Sequence, residues 1–174
     1  MVTTSNKTAW IGSVSSSPIG VLWFAISDKG LAAITISPEE EKLITQLKAI
    51  GFTNIISDPS KITQAAQQVL EYLSRKRTAF DLALDWSGML PFQLAALKAT
   101  QSIPYGQTKT YAEIACEIGK PQAARAVGRA EATNPIPLVI PCHRVIGTDG
   151  KLHGYGGGKG IETKAWLLAL ESSE

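Results

Sequence analysis

The chain has 174 residues, of which 44% are hydrophobic and 18% are charged. This composition is typical of a globular protein with a buried core and excludes a disordered chain. The formal net charge of +2 is too small to indicate a nucleic-acid-binding protein by itself. No apolar run approaches the ~20 residues of a membrane-spanning helix, and residues 1–7 lack the layout of a secretory signal. We therefore expect a cytoplasmic protein that has no contact with membranes.

The first part of the chain is predicted to form a small α/β unit without a catalytic constellation. Strands are expected over residues 8–14, 20–26 and 31–36, where apolar segments are separated by turn residues. Ser37 as N-cap and Pro38 at the first helical position predict a helix that ends near Ile50. A helix over residues 62–75 and a strand over residues 80–84 are expected to follow.

A glycine and a proline in residues 86–91 mark a domain boundary, after which the pattern becomes helical. Helices are predicted over four segments, 92–100, 110–118, 122–132 and 163–170. The corner Gly119-Lys120-Pro121 joins the second helix to the third, as in a helix-turn-helix, although an ordinary helical corner is more common. We expect an N-terminal domain of residues 1–87 and a C-terminal domain of residues 88–174.

The segment Pro141-Cys142-His143-Arg144-Val145 places a thiol beside an imidazole and a guanidinium. Neighbouring positive or basic groups lower the pKa of a cysteine from ~8.5 and increase its nucleophilic fraction. Pro141 fixes φ just before the thiol and makes the backbone stiff. The alternative is an inert core cysteine, which is the usual state of a free thiol.

The sequence contains only two cysteines and two histidines, which is too few for a zinc-type ligand cluster. Cys116 and Cys142 are both expected to be free thiols, because a useful thiol in a reducing compartment argues against a disulfide.

Several further motifs occur in a fixed order along the second half of the chain. They are PFQ at 91–93, IPYG at 103–106, TYAEIA at 110–115, AARAVG at 123–128, NP at 134–135, IPCHRVIG at 140–147, GYGG at 154–157 and KAWLLALE at 164–171. This series resembles that of the O6-alkylguanine-DNA alkyltransferases, strongly over the last half of the chain and only in pattern over the first. The resemblance implies an α+β fold, with a small ribonuclease H-like α/β domain before a mainly helical, winged-helix-like domain that contains a helix-turn-helix.

The same resemblance implies DNA repair by direct reversal of damage. The alkyl group of O6-alkylguanine, and also of O4-methylthymine, in double-stranded DNA would move to Cys142 without a cofactor or metal. Because a thioether is a poor leaving group, a monomer of this kind should act only once.

The resemblance also implies the roles of four residues around the reaction. Cys142 accepts the alkyl group, His143 helps to deprotonate it through a water, Glu171 orients His143, and Asn134 braces the turn. Without the resemblance, Glu171 would be interpreted as a solvated carboxylate near the end of the chain.

An alkylated guanine inside a duplex is out of reach of a buried thiol, so the base must leave the stack. The resemblance implies that Arg125 fills the vacated space and that Tyr111 aids extrusion and donates to the base. Taken alone, Tyr111 could be a core aromatic and Arg125 a solvated helix cation. The other implied DNA contacts are Ala124, Ala126, Gly128 and Arg129, and the implied pocket residues are Pro137, Val139, Ile140, Val145, Tyr155 and Gly156.

Two residues depart from the family pattern near the end of the third helix, Glu131 within it and Thr133 directly after it. Glu131 and Thr133 stand where a neutral residue and a cation are more common, so we expect them to weaken the attraction for phosphate, with Arg129 compensating.

Three other classes of protein remain as alternatives. They are a damage sensor with an idle thiol, a cysteine hydrolase that uses Cys142 and His143, and a helix-turn-helix regulator.

Overall fold

The computed structural model describes residues 6–172, so the predicted domain limits at 1 and 174 lie outside the described residues. Its N-terminal half is a four-stranded sheet with the order β3-β2-β1-β4 and two helices. The elements are β1 (Thr8–Val14), β2 (Leu22–Ser27), β3 (Gly30–Ile36), α1 (Glu40–Ala49), β4 (Asn54–Ser57) and α2 (Thr63–Leu73). Strands β1, β2 and β3 pair antiparallel, and β4 pairs parallel with β1.

The predicted strand over residues 80–84 is wrong. Only an isolated bridge joins Leu31 to Leu84 at the edge of β3. The side chain of Gln68 binds both the N–H and the C=O of Asp81, at 2.8 and 3.0 Å. Because a helix side chain satisfies this backbone, the segment does not need a strand partner along its length.

The start of α1 also differs from the prediction. The helix has Glu39 as N-cap, without a side-chain hydrogen bond. The N–H of Ser37 donates to Val21 O at 3.0 Å, which holds this residue beside the sheet. Its hydroxyl accepts from Glu39 N at 3.1 Å and forms a turn before the helix instead of a cap.

The C-terminal half is mainly helical. Its elements are α3 (Pro91–Gln101), β5 (Lys109–Thr110), α4 (Tyr111–Glu117), α5 (Ala124–Ala132), a 3₁₀ turn (Cys142–Arg144), β6 (Val145–Ile146) and α6 (Ile161–Ser172). A capping box between Thr110 and Glu113 begins α4, and Gly119 at φ 71° turns the chain toward α5. The predicted α+β fold with a helix-turn-helix is thus confirmed.

The short strands β5 and β6 form a parallel pair that the sequence did not indicate. Each has only two residues, too few for a strand period to be visible. The pairing joins the start of the helix-turn-helix to the chain that directly follows the Cys142–Arg144 turn.

No helix within residues 6–172 is long and apolar enough to cross a membrane.

One hydrophobic cluster is shared by the two halves. Its members include Phe24 and Ile34 of the sheet, Tyr72 of α2, and Ile140 and Cys142 of the C-terminal half. A backbone hydrogen bond of 2.9 Å from Ile34 N to Pro135 O also crosses between the halves. Cys142 therefore lies where the N-terminal sheet packs against the C-terminal helices.

Candidate active site

Asn134 fixes the loop that leads to Cys142. Its Oδ1 accepts from Ile136 N at 2.9 Å, and its Nδ2 donates to Ile140 O at 2.9 Å. Between these two residues, Leu138 has φ 74°, a left-handed conformation that residues other than glycine rarely adopt. The loop is thus tied at both ends by one amide side chain, and Cys142 begins the 3₁₀ turn that follows it.

Glu171 lies at the centre of a network that we call the buried cluster (Tyr72, His143, Arg144 and Glu171). Its Oε1 accepts from Tyr72 Oη at 2.6 Å and lies 2.7 Å from His143 Nε2. Arg144 donates to both carboxylate oxygens at 2.9 Å, and Gly106 N donates to Oε2 at 3.0 Å. Glu171 is only 6% exposed, so it is not the solvated chain-end carboxylate that its position in the sequence alone would indicate.

The buried cluster fixes the protonation of His143 and Glu171. Burial alone would raise the pKa of Glu171, but hydrogen bonds from His143 and Arg144 outweigh it and hold that pKa well below its usual range. Burial lowers the pKa of His143 despite the carboxylate beside it, so the imidazole is neutral near pH 7. An ionised carboxylate can only accept, so Nε2 of the neutral ring carries the proton.

The other ring nitrogen, Nδ1, is therefore an unprotonated base. It is buried and has no hydrogen-bond partner among residues 6–172. A neutral imidazole that is oriented by a carboxylate and presents a free lone pair can take a proton from an adjacent acid. His143 directly follows Cys142 in the 3₁₀ turn, so this base is adjacent to the thiol in the chain.

The resting state of Cys142 corrects the prediction of a lowered pKa. Burial, followed by the charge of Glu131, raises the pKa of this thiol to about 12, against smaller opposite effects of Asn134 and Lys164. The guanidinium of Arg144 cannot help, because it is directed at Glu171 and at Ile103 O. Cys142 is therefore a protonated thiol near pH 7 and needs a base in order to react.

A pocket of about 630 Å³ contains Cys142 and opens between the two halves. Of the predicted pocket residues, Pro137, Tyr155 and Gly156 line it. The other three do not. Val139 lines a separate cavity beside Arg144, and Ile140 and Val145 are fully buried, with carbonyls that accept from Asn134 and Lys164.

Most of the predicted DNA contacts lie together on a surface that we call the open face (Tyr111, Ala124, Arg125 and Gly128). These residues line a cavity of about 520 Å³, together with Asp149 and His153. Arg125 is exposed, and Tyr111 is half-buried with its ring 3.9 Å from where a Cβ on Gly128 would be. Ala126 and Arg129 are on the same helix but do not line this cavity.

Glu131 was predicted to face DNA and weaken phosphate contacts, and this is wrong. The side chain is 6% exposed, and its Oε1 accepts from Thr100 Oγ1 of α3 at 2.6 Å. The helix α5 packs against α3 on this side, so Glu131 belongs to the helical interface and not to the surface. Thr133 is exposed and binds the side chain of Gln93.

Sequence reasoning missed Tyr72 and Lys164. Lys164 Nζ donates to Val145 O, His153 O and Tyr111 Oη, at 2.7, 3.0 and 3.3 Å. A signal existed for it, because Lys164 and Glu171 lie two helical turns apart on one face of an apolar helix. No such signal existed for Tyr72, which lies in the other half of the chain.

No group of three or more His, Cys, Asp or Glu side chains among the described residues could hold a metal ion.

Comparison with known proteins gives two family models that together match most of the chain. The ribonuclease-like domain of 6-O-methylguanine DNA methyltransferase matches residues 12–86, and the DNA binding domain of the same family matches residues 91–173. The protein named methylated-DNA–protein-cysteine methyltransferase in Mycolicibacterium paratuberculosis is 44% identical over 155 residues, which are 89% of this chain and 88% of that protein.

A protein of the same name from Methanosarcina barkeri is 42% identical over 160 residues, covering 92% of this chain and 96% of its own length. A crystal structure of Mycobacterium tuberculosis OGT in complex with DNA superposes with a TM-score of 0.80 at 40% identity. That similarity covers 94% of this chain and 92% of the other.

Proposed function

The chain belongs to the 6-O-methylguanine DNA methyltransferase family, and we propose that it repairs O6-alkylguanine in duplex DNA by transferring the alkyl group to Cys142. Members of this family repair DNA by alkyl transfer to a cysteine. The observation that carries the assignment to Cys142 is its position in a 630 Å³ pocket, in one turn with the neutral base His143.

The reaction proceeds as a displacement at the alkyl carbon. The proton of Cys142 moves to Nδ1 of His143, directly or through a water, and Sγ forms a bond to the alkyl carbon as the bond from that carbon to O6 breaks. Glu171 then stabilises the imidazolium, because its pKa is far below neutral and it remains ionised. Guanine leaves with the electron pair of the broken bond and takes up one proton. The thioether has no ready route back, so each molecule reacts once.

The open face is suited to the extraction of the base. Arg125 is a long exposed cation on a helix of small residues, which allows its stem to enter the base stack and its guanidinium to bind the orphaned partner. Tyr111, at the start of α4, lines the same cavity as Arg125, and its hydroxyl lies 3.3 Å from Lys164 Nζ. We propose Ala124, Ala126, Gly128 and Arg129 as further contacts to the DNA backbone.

The remaining assignments are proposed on the same basis. Cys142, His143 and Glu171 form the site within one chain, which supports a monomer. On the resemblance to the family, we also propose O4-methylthymine as a further substrate and the cytoplasm as the location. The division into residues 1–87 and 88–174 is supported by the lack of regular secondary structure at residues 86–90, between the N-terminal elements and α3.

Mass spectrometry after incubation with duplex DNA that contains O6-methylguanine tests the function. We expect one methyl group on the peptide of Cys142, none on that of Cys116, and consumption of the protein in equal amounts with the lesion. The variant Cys116→Ser should react normally, and Cys142→Ser should not react. Label on Cys116, or repeated turnover by one molecule, would contradict the proposal.

A further inference from the structure

Glu131 is a buried acid beside the pocket of Cys142 for which the reaction as described has no use. It is the second-last residue of α5 and lines the same pocket as Cys142. Its Oε1 is held by the hydroxyl of Thr100 at 2.6 Å. The other oxygen, Oε2, is buried and has no hydrogen-bond partner among residues 6–172.

No cation compensates Glu131 by a direct contact in the described part of the chain. Lys164 is the positive group that attracts it, but a lysine has three donors. All three are used by Val145 O, His153 O and Tyr111 Oη. Glu131 therefore has one neutral donor for two carboxyl oxygens in a buried position, where an ionised carboxylate is costly.

This cost brings the two charge states of Glu131 close together. Burial raises its pKa to about 7, although Thr100 and Lys164 act in the opposite direction. Both forms are thus populated near neutral pH. The groups that face Glu131 from the packed elements are Thr100 of α3, Tyr111 of α4, Cys142 of the 3₁₀ turn and Lys164 of α6. Burial and then Glu131 raise the pKa of Tyr111 to about 12, so Tyr111 stays neutral in this range.

We propose that Glu131 is a positioning residue that sets the reactivity of Cys142 through charge: the neutral carboxyl permits thiolate formation, and the ionised carboxylate opposes it. Two anions that share one buried site repel each other, and the charge of Glu131 is the second-largest contribution to the raised pKa of Cys142, after burial. The effect on the thiol is a property of the free protein. Only its consequence for repair rests on the proposed function, in which Cys142 is the alkyl acceptor.

The test uses iodoacetamide as a probe of thiolate between pH 6 and pH 8, with both cysteine peptides quantified by mass spectrometry. The exposed Cys116 is the internal reference, because its labelling shows how the reaction of iodoacetamide with a thiol of the same molecule depends on pH. If ionised Glu131 raises the pKa of Cys142 by about one unit, the ratio of Cys142 to Cys116 labelling should fall about fivefold over this range. In Glu131→Gln, which keeps the shape and the bond from Thr100, the ratio should stay constant.

Two further variants sharpen the result. Thr100→Val removes the hydrogen bond that lowers the pKa of Glu131, so the fall in the labelling ratio should move to higher pH. Glu162→Gln removes an exposed charge from α6 and should leave the profile unchanged. A constant ratio in the parent protein, or an equal fall in Glu131→Gln, would overturn the inference.

Methyl transfer from DNA is measured separately on the same variants. If Cys142 accepts the methyl group but its labelling ratio is constant, the proposed function stands and the inference about Glu131 fails. If the ratio depends on Glu131 but no methyl group is transferred, the inference stands and the proposed function fails.

Discussion

The buried cluster and the open face are built in opposite ways, although all of their members except Tyr72 belong to the C-terminal half. Glu171 and His143 are almost inaccessible, and Glu171 receives hydrogen bonds from α2, from the 3₁₀ turn and from the backbone at Gly106. On the open face, Arg125 is exposed and stands on a helix of small residues. In the proposed reaction, the chemistry therefore depends on fixed partners, whereas the recognition of DNA depends on exposed side chains such as Arg125.

Substitutions in the two regions should therefore differ in kind. A change in the buried cluster should slow transfer from every substrate, because it acts on Cys142 itself. A change on the open face should slow only reactions that require a base to leave a duplex. A free O6-alkylguanine base and a duplex that contains it distinguish the two effects.

The largest effect is expected for Glu171→Gln. An amide still accepts a hydrogen bond from His143 but no longer stabilises its protonated form, so single-turnover rates should fall by about 10²-fold, the lower end of the range for general-base assistance. The loss should be equal for the free base and the duplex. The control Glu162→Gln changes an exposed acid on the same helix. A Glu171→Gln rate within about twofold of the parent rate would mean that Glu171 does not assist the reaction.

A smaller and selective effect is expected for Arg125→Ala. Unstacking a base costs a few kcal/mol. In the proposed mechanism Arg125 offsets part of this cost, so its removal should slow repair in duplex DNA by about 10- to 100-fold. Transfer from the free base should be unchanged. Lys29→Ala removes an exposed charge from the turn between β2 and β3 and serves as control. Equal losses on both substrates would show that Arg125 acts on the chemistry or the fold.

The smallest effect is expected for Tyr72→Phe, which removes one donor to Glu171 from the opposite half of the chain. One hydrogen bond to a charged group contributes about 1.5–3 kcal/mol to stability, and denaturant unfolding should detect a loss of about this size. Transfer should slow by only a few-fold, since His143 and Arg144 still bind Glu171. Tyr105→Phe, which loses a 3.4 Å contact to Leu170 O, should change stability less. Equal losses in the two variants would count against a special role for Tyr72.

The sequence predicted most helices and strands well, because their signals are local. The capping box at Thr110 and the glycine corner at residue 119 depend on neighbouring residues only. The strand over residues 80–84 was wrong because the decisive partner, Gln68, lies on a separate helix. The same reason explains Ser37, whose N–H is taken by the distant Val21.

At the candidate site, the motif around Cys142 located the pocket but not its electrostatics. Adjacent residues in the sequence suggested that Arg144 would activate the thiol, yet the fold directs this side chain to Glu171. Glu131 was interpreted from its helix alone, and only the packing of α5 on α3 shows that it is buried. A sequence identifies the groups that are present, but burial and direction decide the charge that each of them carries.

The hydrogen bond from Tyr72 to Glu171 has a consequence for how this protein can be divided. The hydroxyl comes from α2 and the carboxylate from α6, and the hydrophobic cluster around Cys142 takes members from both halves. Separation of the halves would expose this cluster and remove a donor from the carboxylate. The two matched domains should thus melt in a single cooperative transition. A chimera whose new N-terminal half lacks a hydroxyl at this position should be less stable and should react a few-fold more slowly.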